Sequence, residues 1–336
     1  MVVFLGDYIY EGGQSSGKPR RHNSPTVTTL DGYRARYGLY KLDPRLQSAH
    51  HVAPWILTWD DHEVANDYAG QLPSTGVPSQ AFVDRRKAAY QAYWEHQPIR
   101  TEPDEDGGLQ MYRKLSWGTL VDFVVIDGRQ HRSKLACGAT FAQDCAERTD
   151  PTRTMLGAEQ LAWLDSTLAS SEARWTVLVN PQVMTPAPVG TGWIMDQWDG
   201  FSVERSHVVG SLAAVANPIV LTGDIHAAGV ADVRDEPAGS PTVAAEFITT
   251  SISSTPTGIE ASVLNQVLNT LEQFHWFDNS KRGYARATFG TEHVDVDNMT
   301  VDVTSDVLGP VTVERSWRVV AGTRGAQPRV PDDAGA

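Results

Sequence analysis

The chain has 336 residues, of which 41% are hydrophobic and 21% are charged. Its 28 basic and 41 acidic residues give a formal net charge of −13. This balance argues against a nucleic-acid backbone as the main partner, because proteins that bind one need a basic surface. No apolar run reaches the length of about 18 residues that a membrane-spanning helix requires. The composition is close to the average for folded globular proteins, and disorder is not expected.

Short apolar runs alternate with helical patterns along the chain, which is typical of an α/β protein. Strands are predicted over residues 2–5, 55–58, 119–126, 175–179, 219–222 and 243–249. Apolar residues at spacings of three and four predict helices over 80–95, 157–168 and 261–274. Alternating residues then predict an antiparallel meander over 285–289, 294–303 and 311–320. One domain is therefore expected over 1–322, followed by a disordered tail over 323–336.

Cys137 and Cys145 are the only cysteines, and they enclose a seven-residue polar loop that one disulfide can span. Two free thiols or half of a metal site are the alternatives. A disulfide indicates an oxidising compartment, so a secreted, cell-wall or periplasmic location is expected. The first residues have no signal-peptide pattern, which suggests that an export signal was lost together with an N-terminal segment.

Three of the predicted strands end in short polar clusters. The clusters are Gly6-Asp7-Tyr8-Ile9-Tyr10, Asp60-Asp61-His62-Glu63 and Gly223-Asp224-Ile225-His226. Each one alone is more typical of a turn than of a functional site. Because ligands of open α/β sheets bind beyond the carboxyl ends of the strands, the three clusters are expected to meet in space. Their carboxylates and imidazoles suit divalent or ferric ions, and the carboxylates would repel one another without cations.

Longer motifs around these clusters resemble the PhoD-type alkaline phosphatases of the calcineurin-like metallophosphoesterase superfamily. The motifs are FLGDYIYEGG at 4–13, HNSPTVTTLDGYRARY at 22–37, TWDDHEVANDYAG at 58–70, VVIDGRQHRS at 124–133, MLGAEQLAWL at 155–164, MDQWDGF at 195–201 and LTGDIHAAGVADV at 221–233. The resemblance implies a sandwich of two mixed β-sheets flanked by helices, and a metallophosphatase catalytic domain over 1–322. It also implies hydrolysis of small-molecule phosphate monoesters or diesters by a metal-activated water.

The resemblance assigns iron ligands to three residues. Asp7 corresponds to the aspartate that the family shares between a ferric ion and calcium, and Tyr10 corresponds to the tyrosinate bound to iron. His226 corresponds to an iron-ligating histidine. In family members, an upstream strand supplies a cysteine that completes the iron site, and no such strand precedes Met1 in this sequence. The chain thus resembles the catalytic domain without its first strand, and its iron site is expected to be incomplete.

On the calcium side, Asp224 corresponds to a calcium-ligating aspartate and Asp61 to a metal-binding residue, with Asp60 and Asn66 as alternatives to Asp61. The implied cofactors are Ca²⁺ and Fe³⁺. His62 corresponds to the histidine that faces the phosphate, and it is the expected catalytic residue, stabilising phosphate or protonating the leaving oxygen.

The substrate-binding residues are less well defined by the sequence. Arg129 and Arg132 are candidates for binding substrate oxygens, and the alternative is that they carry charge on a surface loop. Two other hypotheses for the whole chain stay open. One is a truncated, catalytically impaired protein that binds cations or phosphate. The other is a glycosidase with two catalytic carboxylates, which would need no metal.

Overall fold

Residues 1–14, 21–236, 239–254, 261–301 and 309–330 are described by a computed structural model of the chain. Within these ranges the strands are β1 (Val2–Phe4), β2 (Trp55–Leu57), β3 (Arg113–Trp117), β4 (Val121–Val125), β5 (Phe141–Gln143), β6 (Trp175–Val179), β7 (Gly192–Ile194), β8 (Pro218–Thr222), β9 (Ala228–Val233), β10 (Ala244–Ile248), β11 (Phe274–Asp278), β12 (Arg282–Phe289), β13 (His293–Val301), β14 (Thr312–Val320) and β15 (Gln327–Pro328). The helices are α1 (Leu30–Lys41), α2 (Pro44–Val52), α3 (Gln80–His96), α4 (Ala158–Ala169), α5 (Ser202–Ala213) and α6 (Ala261–Leu268).

A seven-stranded mixed sheet in the order β11-β9-β10-β8-β6-β4-β3 forms the centre of the fold. The pairs β4–β6, β6–β8 and β8–β10 are parallel, and the outer pairs are antiparallel. All residues of β4 and β6 are buried, as expected for apolar strands covered on both faces. The parallel strands have their carboxyl ends at one edge of the sheet, so the loops that follow β4, β6 and β8 lie side by side.

Two smaller sheets pack on one face of this sheet. β1 and β2 form a parallel pair in which Val3 lies opposite Ile56, and β12 to β15 form an antiparallel sheet. Val296 and Val177 belong to one buried cluster, and the partly buried Val3 packs against it, so both smaller sheets place apolar side chains against the large one. The predicted α/β fold is confirmed, with a large mixed sheet flanked by helices. Where a second mixed sheet was predicted, the second layer consists of a parallel pair and an antiparallel sheet.

Helices cover the remaining apolar surface. Leu164 of α4 and Val208 of α5 pack into a cluster on the opposite face of the seven-stranded sheet. Helices α1 and α3 form a separate cluster with Tyr8 and Trp59, which lie in the loops after β1 and β2. This second cluster fixes both loops from outside the sheet. No helix in the described part of the chain has the length and apolarity to cross a membrane.

Two predictions of secondary structure were wrong. The helix predicted over 261–274 ends at Leu268, because backbone turns follow and Phe274 begins β11. The tail predicted to be disordered from residue 323 is ordered as far as residue 330. Ala326 is buried, and Pro328 of β15 pairs with Trp317 of β14. The rest of the predicted tail, residues 331–336, lies outside the described residues.

Candidate metal centre

The three polar clusters predicted from the sequence meet at the ends of β1, β2 and β8. Gly6 turns the chain sharply off β1 with φ +104°, and a Cβ atom there would lie 2.5 Å from Cβ of Asp60. Only glycine fits such a close approach between the two loops. Asp7, Asp224 and His226 also have positive φ angles, which are strained for non-glycine residues. Strained backbone at these positions is characteristic of functional sites.

Tyr10, Asp7 and His226 form one side of the centre. The Tyr10 hydroxyl lies 2.9 Å from Oδ2 of Asp7 and 2.7 Å from Nε2 of His226. Nε2 of His226 lies 3.7 Å from the same aspartate oxygen. The three side chains predicted as iron ligands therefore lie close together. They come from two loops that are far apart in the sequence, since Tyr10 and His226 are 216 positions apart.

Asp61 joins the other two clusters. Its carboxylate lies within 4.8 Å of donor atoms of Asp7 and His62, and also within 4.8 Å of Asp60 and Asp224. Asp60 thus faces the centre beside Asp61, as the sequence left open. Asn66 is exposed, and its backbone N–H donates a hydrogen bond to Glu11.

The donor set fits cations. One carboxylate oxygen each of Asp7, Asp60 and Asp61 is buried and has no hydrogen-bond partner, an arrangement that costs free energy unless a cation or a proton compensates it. Buried oxygens of this kind, next to imidazole nitrogens, are the ligands that divalent and ferric ions accept. The residues that the structure brings together therefore fit the metal centre predicted from the sequence.

The close packing of these buried carboxylates also shifts their pKa values. Burial, only partly opposed by Arg129, raises the pKa of Asp60 and Asp224 well above the ordinary aspartate range, and neighbouring carboxylates raise it further. Burial also raises the pKa of Asp61 to about 6. At Asp7, two nearby imidazoles outweigh burial and lower the pKa to about 2. A bound cation would favour the ionised form of all four carboxylates.

Arg129 and Arg132 lie beneath the centre rather than on its surface. The Arg129 guanidinium is fully buried, 2.5 Å from Asp60 and bidentate to Asp196 at 2.8 and 2.6 Å. It lies 3.5 Å from Asp224. Arg132 lies 3.1 Å from Asp196. Both arginines therefore compensate buried carboxylates, which contradicts their interpretation as surface charge.

Two glutamates that the sequence did not single out hold the loops together. The buried carboxylate of Glu63 accepts hydrogen bonds from the backbone N–H groups of Asp7, Tyr8 and Asp60, at 3.0, 2.5 and 2.8 Å. It therefore ties the loop after β1 to the loop after β2. Glu11 contacts His62 and accepts from the backbone of residue 66. The DDHE and YIYE motifs contain both residues, but the contacts that join the two loops span more than fifty positions, 56 from Glu63 to Asp7 and 51 from Glu11 to His62.

Two side-chain amides complete the surroundings of the carboxylates. Gln182, in the loop after β6, donates from Nε2 to Asp60. Gln197 donates from Nε2 to Asp224 and accepts the backbone N–H of Val183 through Oε1. Such outer partners orient ligands and tune their affinity for metal.

The loops at the strand ends thus bring carboxylates, imidazoles and a tyrosine together at one edge of the sheet. The fold and this site define an α/β protein with a candidate metal centre. Residues 1–298 match the family model of the PhoD-like phosphatases, and the chain belongs to that family. The family predicted from the sequence motifs is thereby confirmed.

Two known proteins show the extent of the similarity. The chain is 40% identical over 303 residues to alkaline phosphatase D of Bacillus subtilis (strain 168), an alignment that covers 86% of this chain and 52% of that protein. The chain thus spans about half the length of this curated relative. The fold matches a solved structure titled "Structure of PhoD" with a TM-score of 0.89 and 34% identity, covering 99% of this chain and 67% of the other.

Proposed function

We propose that this chain hydrolyses phosphate monoesters, phosphate diesters or both, and that it does so with metal ions held by Asp7, Tyr10, Asp61, Asp224 and His226. The observation that carries the proposal is the convergence of three strand-end loops on buried, unpartnered carboxylate oxygens in a member of the PhoD-like phosphatase family. Ca²⁺ and Fe³⁺ are the proposed ions.

Each residue has a distinct role in the proposal. Tyr10 and His226 would hold Fe³⁺, the harder and more acidic ion. Asp61 and Asp224 would hold Ca²⁺, and Asp7 would be available to both ions. When bound, such cations would neutralise phosphoryl oxygens and lower the pKa of a water molecule. Glu11 accepts a hydrogen bond from Nδ1 of His62 and leaves Nε2 for the ester.

The role of His62 follows from that orientation. A histidine held through Nδ1 can donate a proton from Nε2 to the leaving oxygen or to a phosphate oxygen. Arg129 and Arg132 have a different proposed role from the one predicted from the sequence. Because both guanidinium groups are buried against Asp60 and Asp196, we infer that they hold carboxylates in place and do not bind substrate.

The disulfide supports an extracellular, cell-wall or periplasmic location for the chain, since such bonds persist in oxidising compartments. An extracellular enzyme of this kind would meet small soluble phosphoesters. The acidic net charge of −13 supports small substrates over nucleic-acid backbones.

The test is hydrolysis of three aryl substrates by chelator-treated protein, before and after Ca²⁺ and Fe³⁺ are supplied. An aryl phosphate, a bis-aryl phosphate and an aryl glycoside distinguish monoesterase, diesterase and glycosidase activity. We expect release of the aryl alcohol from one or both phosphates only when the ions are present. Hydrolysis of the glycoside that survives chelation would support the glycosidase hypothesis, and Ca²⁺ binding without turnover would support the cation-binding hypothesis.

A further inference from the structure

The loop closed by the Cys137–Cys145 disulfide lies beside the metal centre. The two cysteines are bonded with a Cα–Cα distance of 5.9 Å, which confirms the pairing expected from the sequence. β5 lies within this loop and pairs with β7, so that Phe141 is opposite Ile194. The Phe141 ring also packs closely against Gly192 of β7. The disulfide closes the base of the loop, and the pairing of β5 with β7 fixes the segment inside it.

Thr140 is the residue of this loop that contacts the centre. Its hydroxyl donates a hydrogen bond to Oδ2 of Asp67, and its backbone carbonyl accepts one of 2.6 Å from the N–H of Met195. The hydroxyl therefore contacts the loop after β2, and the carbonyl contacts the segment after β7. A single residue between the cysteines thus connects two separate parts of the site.

Each of these two segments is connected to a carboxylate of the centre. The backbone N–H of Asp67 donates 2.6 Å to Oδ2 of Asp61, and Asp67 itself has a strained φ of +54°. Met195 precedes Asp196, whose carboxylate is bidentate to Arg129. Donor atoms of Asp61, Asp67 and Asp196 all lie within 4.8 Å of one another. Displacement of Thr140 would therefore move the backbone that orients Asp61 and the carboxylate that orients Arg129.

We propose that the disulfide-closed loop over 137–145 is a positioning element of the metal centre, and that Thr140 is the residue through which it acts. The disulfide keeps Thr140 in contact with Asp67 and with Met195, and these contacts hold Asp61 in the orientation that binds a cation. The inference rests on the proposed function only in that it takes Asp61 to be a metal ligand.

The experiment measures Ca²⁺ affinity by titration calorimetry on chelator-treated full-length protein, together with kcat and KM for an aryl phosphate. The variants are T140V, which removes only the hydroxyl, T140S, which restores it, and the disulfide variant C137S/C145S. T149V is the matched control, because Thr149 is exposed and its hydroxyl donates to the carbonyl of Ala146, its own neighbour in the chain and away from the carboxylates of the centre. The combination of T140V with C137S/C145S tests whether the disulfide acts through Thr140.

We expect T140V and C137S/C145S each to weaken Ca²⁺ binding by about tenfold or more, as removal of outer-shell partners commonly does. T140S and T149V should bind as the wild type, and the combined variant should bind no more weakly than the worse of its parents. The inference is overturned if T140V binds Ca²⁺ as T149V does, or if the two effects simply add. Since T140V keeps the disulfide, it also decides the matter if C137S/C145S fails to fold.

The outcomes separate this inference from the proposed function. Wild-type protein that binds Ca²⁺ but hydrolyses no ester would overturn the proposed function, and weak Ca²⁺ binding by T140V would still support the loop's role. Wild-type protein that hydrolyses the ester, with T140V indistinguishable from it in both measurements, would overturn the loop's role alone. Absence of Ca²⁺ binding by the wild type would overturn both.

Discussion

The carboxylate of Glu11 lies 2.6 Å from Nδ1 of His62, and the two residues come from the loops after β1 and β2. Burial opposes a charge on the imidazole, but Asp61, Asp7 and Glu11 raise the pKa of His62 well above its usual range. Glu11 thereby fixes the ring orientation of His62 with Nδ1 as the donor, since a carboxylate can only accept from Nδ1. This relationship leads to the first prediction.

Replacement H62A should lower kcat by a factor of about 10² or more, as loss of a general acid commonly does, and should leave Ca²⁺ affinity nearly unchanged. E11Q should lower kcat less, since it weakens the orientation of His62 without removing the ring. Steady-state kinetics and calorimetry on the same preparations check both. Parallel loss of Ca²⁺ binding and turnover in H62A would identify His62 as a metal ligand instead.

Glu63 provides the second prediction. Three backbone N–H groups converge on its two carboxylate oxygens, and the amide in E63Q would turn an N–H donor toward one of them. We expect E63Q to lower the free energy of unfolding by about 1–3 kcal/mol. Chemical denaturation measures that loss, and Ca²⁺ calorimetry should show weaker binding because Asp7 and Asp60 lose a common anchor.

A matched control exists for the Glu63 experiment. Glu105 is exposed in a loop, and E105Q makes the same chemical change away from the centre. Equal stability and equal Ca²⁺ affinity in E63Q and E105Q would show that Glu63 does not anchor the loops.

Gly6 provides the third prediction, which concerns the backbone. In G6A the new Cβ would meet both Cβ and the backbone nitrogen of Asp60, at 2.5 and 2.6 Å, and alanine would have to adopt a φ of +104°. We expect a loss of stability of about 1–3 kcal/mol, together with weaker Ca²⁺ binding, because the loops after β1 and β2 must separate. The control is G12A, since no atom of the described residues lies within 4 Å of a Cβ at Gly12. Thermal unfolding of the two variants should differ clearly, and identical melting temperatures would refute the close approach.

The fourth prediction concerns the pH dependence of stability at Asp232, a residue outside the metal centre. Burial alone would raise the pKa of Asp232, but a hydrogen bond from His275 and the charges of His275 and Arg234 outweigh it, so the pKa is lowered on folding. A lowered pKa contributes stability above the unfolded value of about 3.9, and that contribution is lost as pH falls through the folded value.

The stability difference between wild type and D232N should therefore be present above the unfolded value of about 3.9 and should shrink as the pH falls below about 4. Urea denaturation at several pH values measures it. D106N, at an exposed position, is the control. A difference that stays constant with pH, or grows on acidification, would contradict the assignment.

The sequence predicted which side chains gather at the strand ends better than it predicted the residues that support them. Asp7, Asp61 and Asp224 lie in the loops that follow apolar strands, and the convergence of parallel strand ends is a general rule that needs no knowledge of the particular fold. Glu11 and Glu63 lie in the same motifs, but their roles depend on partners that only the folded chain brings near.

Arg129 shows why the remaining parts of the site could not be predicted. An arginine in a polar loop is usually exposed, and only the tertiary arrangement reveals four carboxylates around a buried guanidinium. The predicted end of the helix over 261–274 was wrong for a related reason. Leu271 and Phe274 continue the helical spacing of apolar residues across a turn, so the pattern alone does not mark where the helix stops.

The most direct measurement of the central claim is a Ca²⁺ titration of chelator-treated protein, with Fe³⁺ present throughout, while hydrolysis of an aryl phosphate is followed in the wild type and in D61N. The carboxylate of Asp61 lies within 4.8 Å of donor atoms of Asp60 and Asp224, and in the proposal it holds the Ca²⁺ ion. We predict saturable restoration of activity in the wild type, and a response in D61N that is absent or needs at least about tenfold more Ca²⁺. Chelated wild-type protein that is fully active without added ions, or D61N that responds at the same Ca²⁺ concentration, would contradict the proposed metal centre.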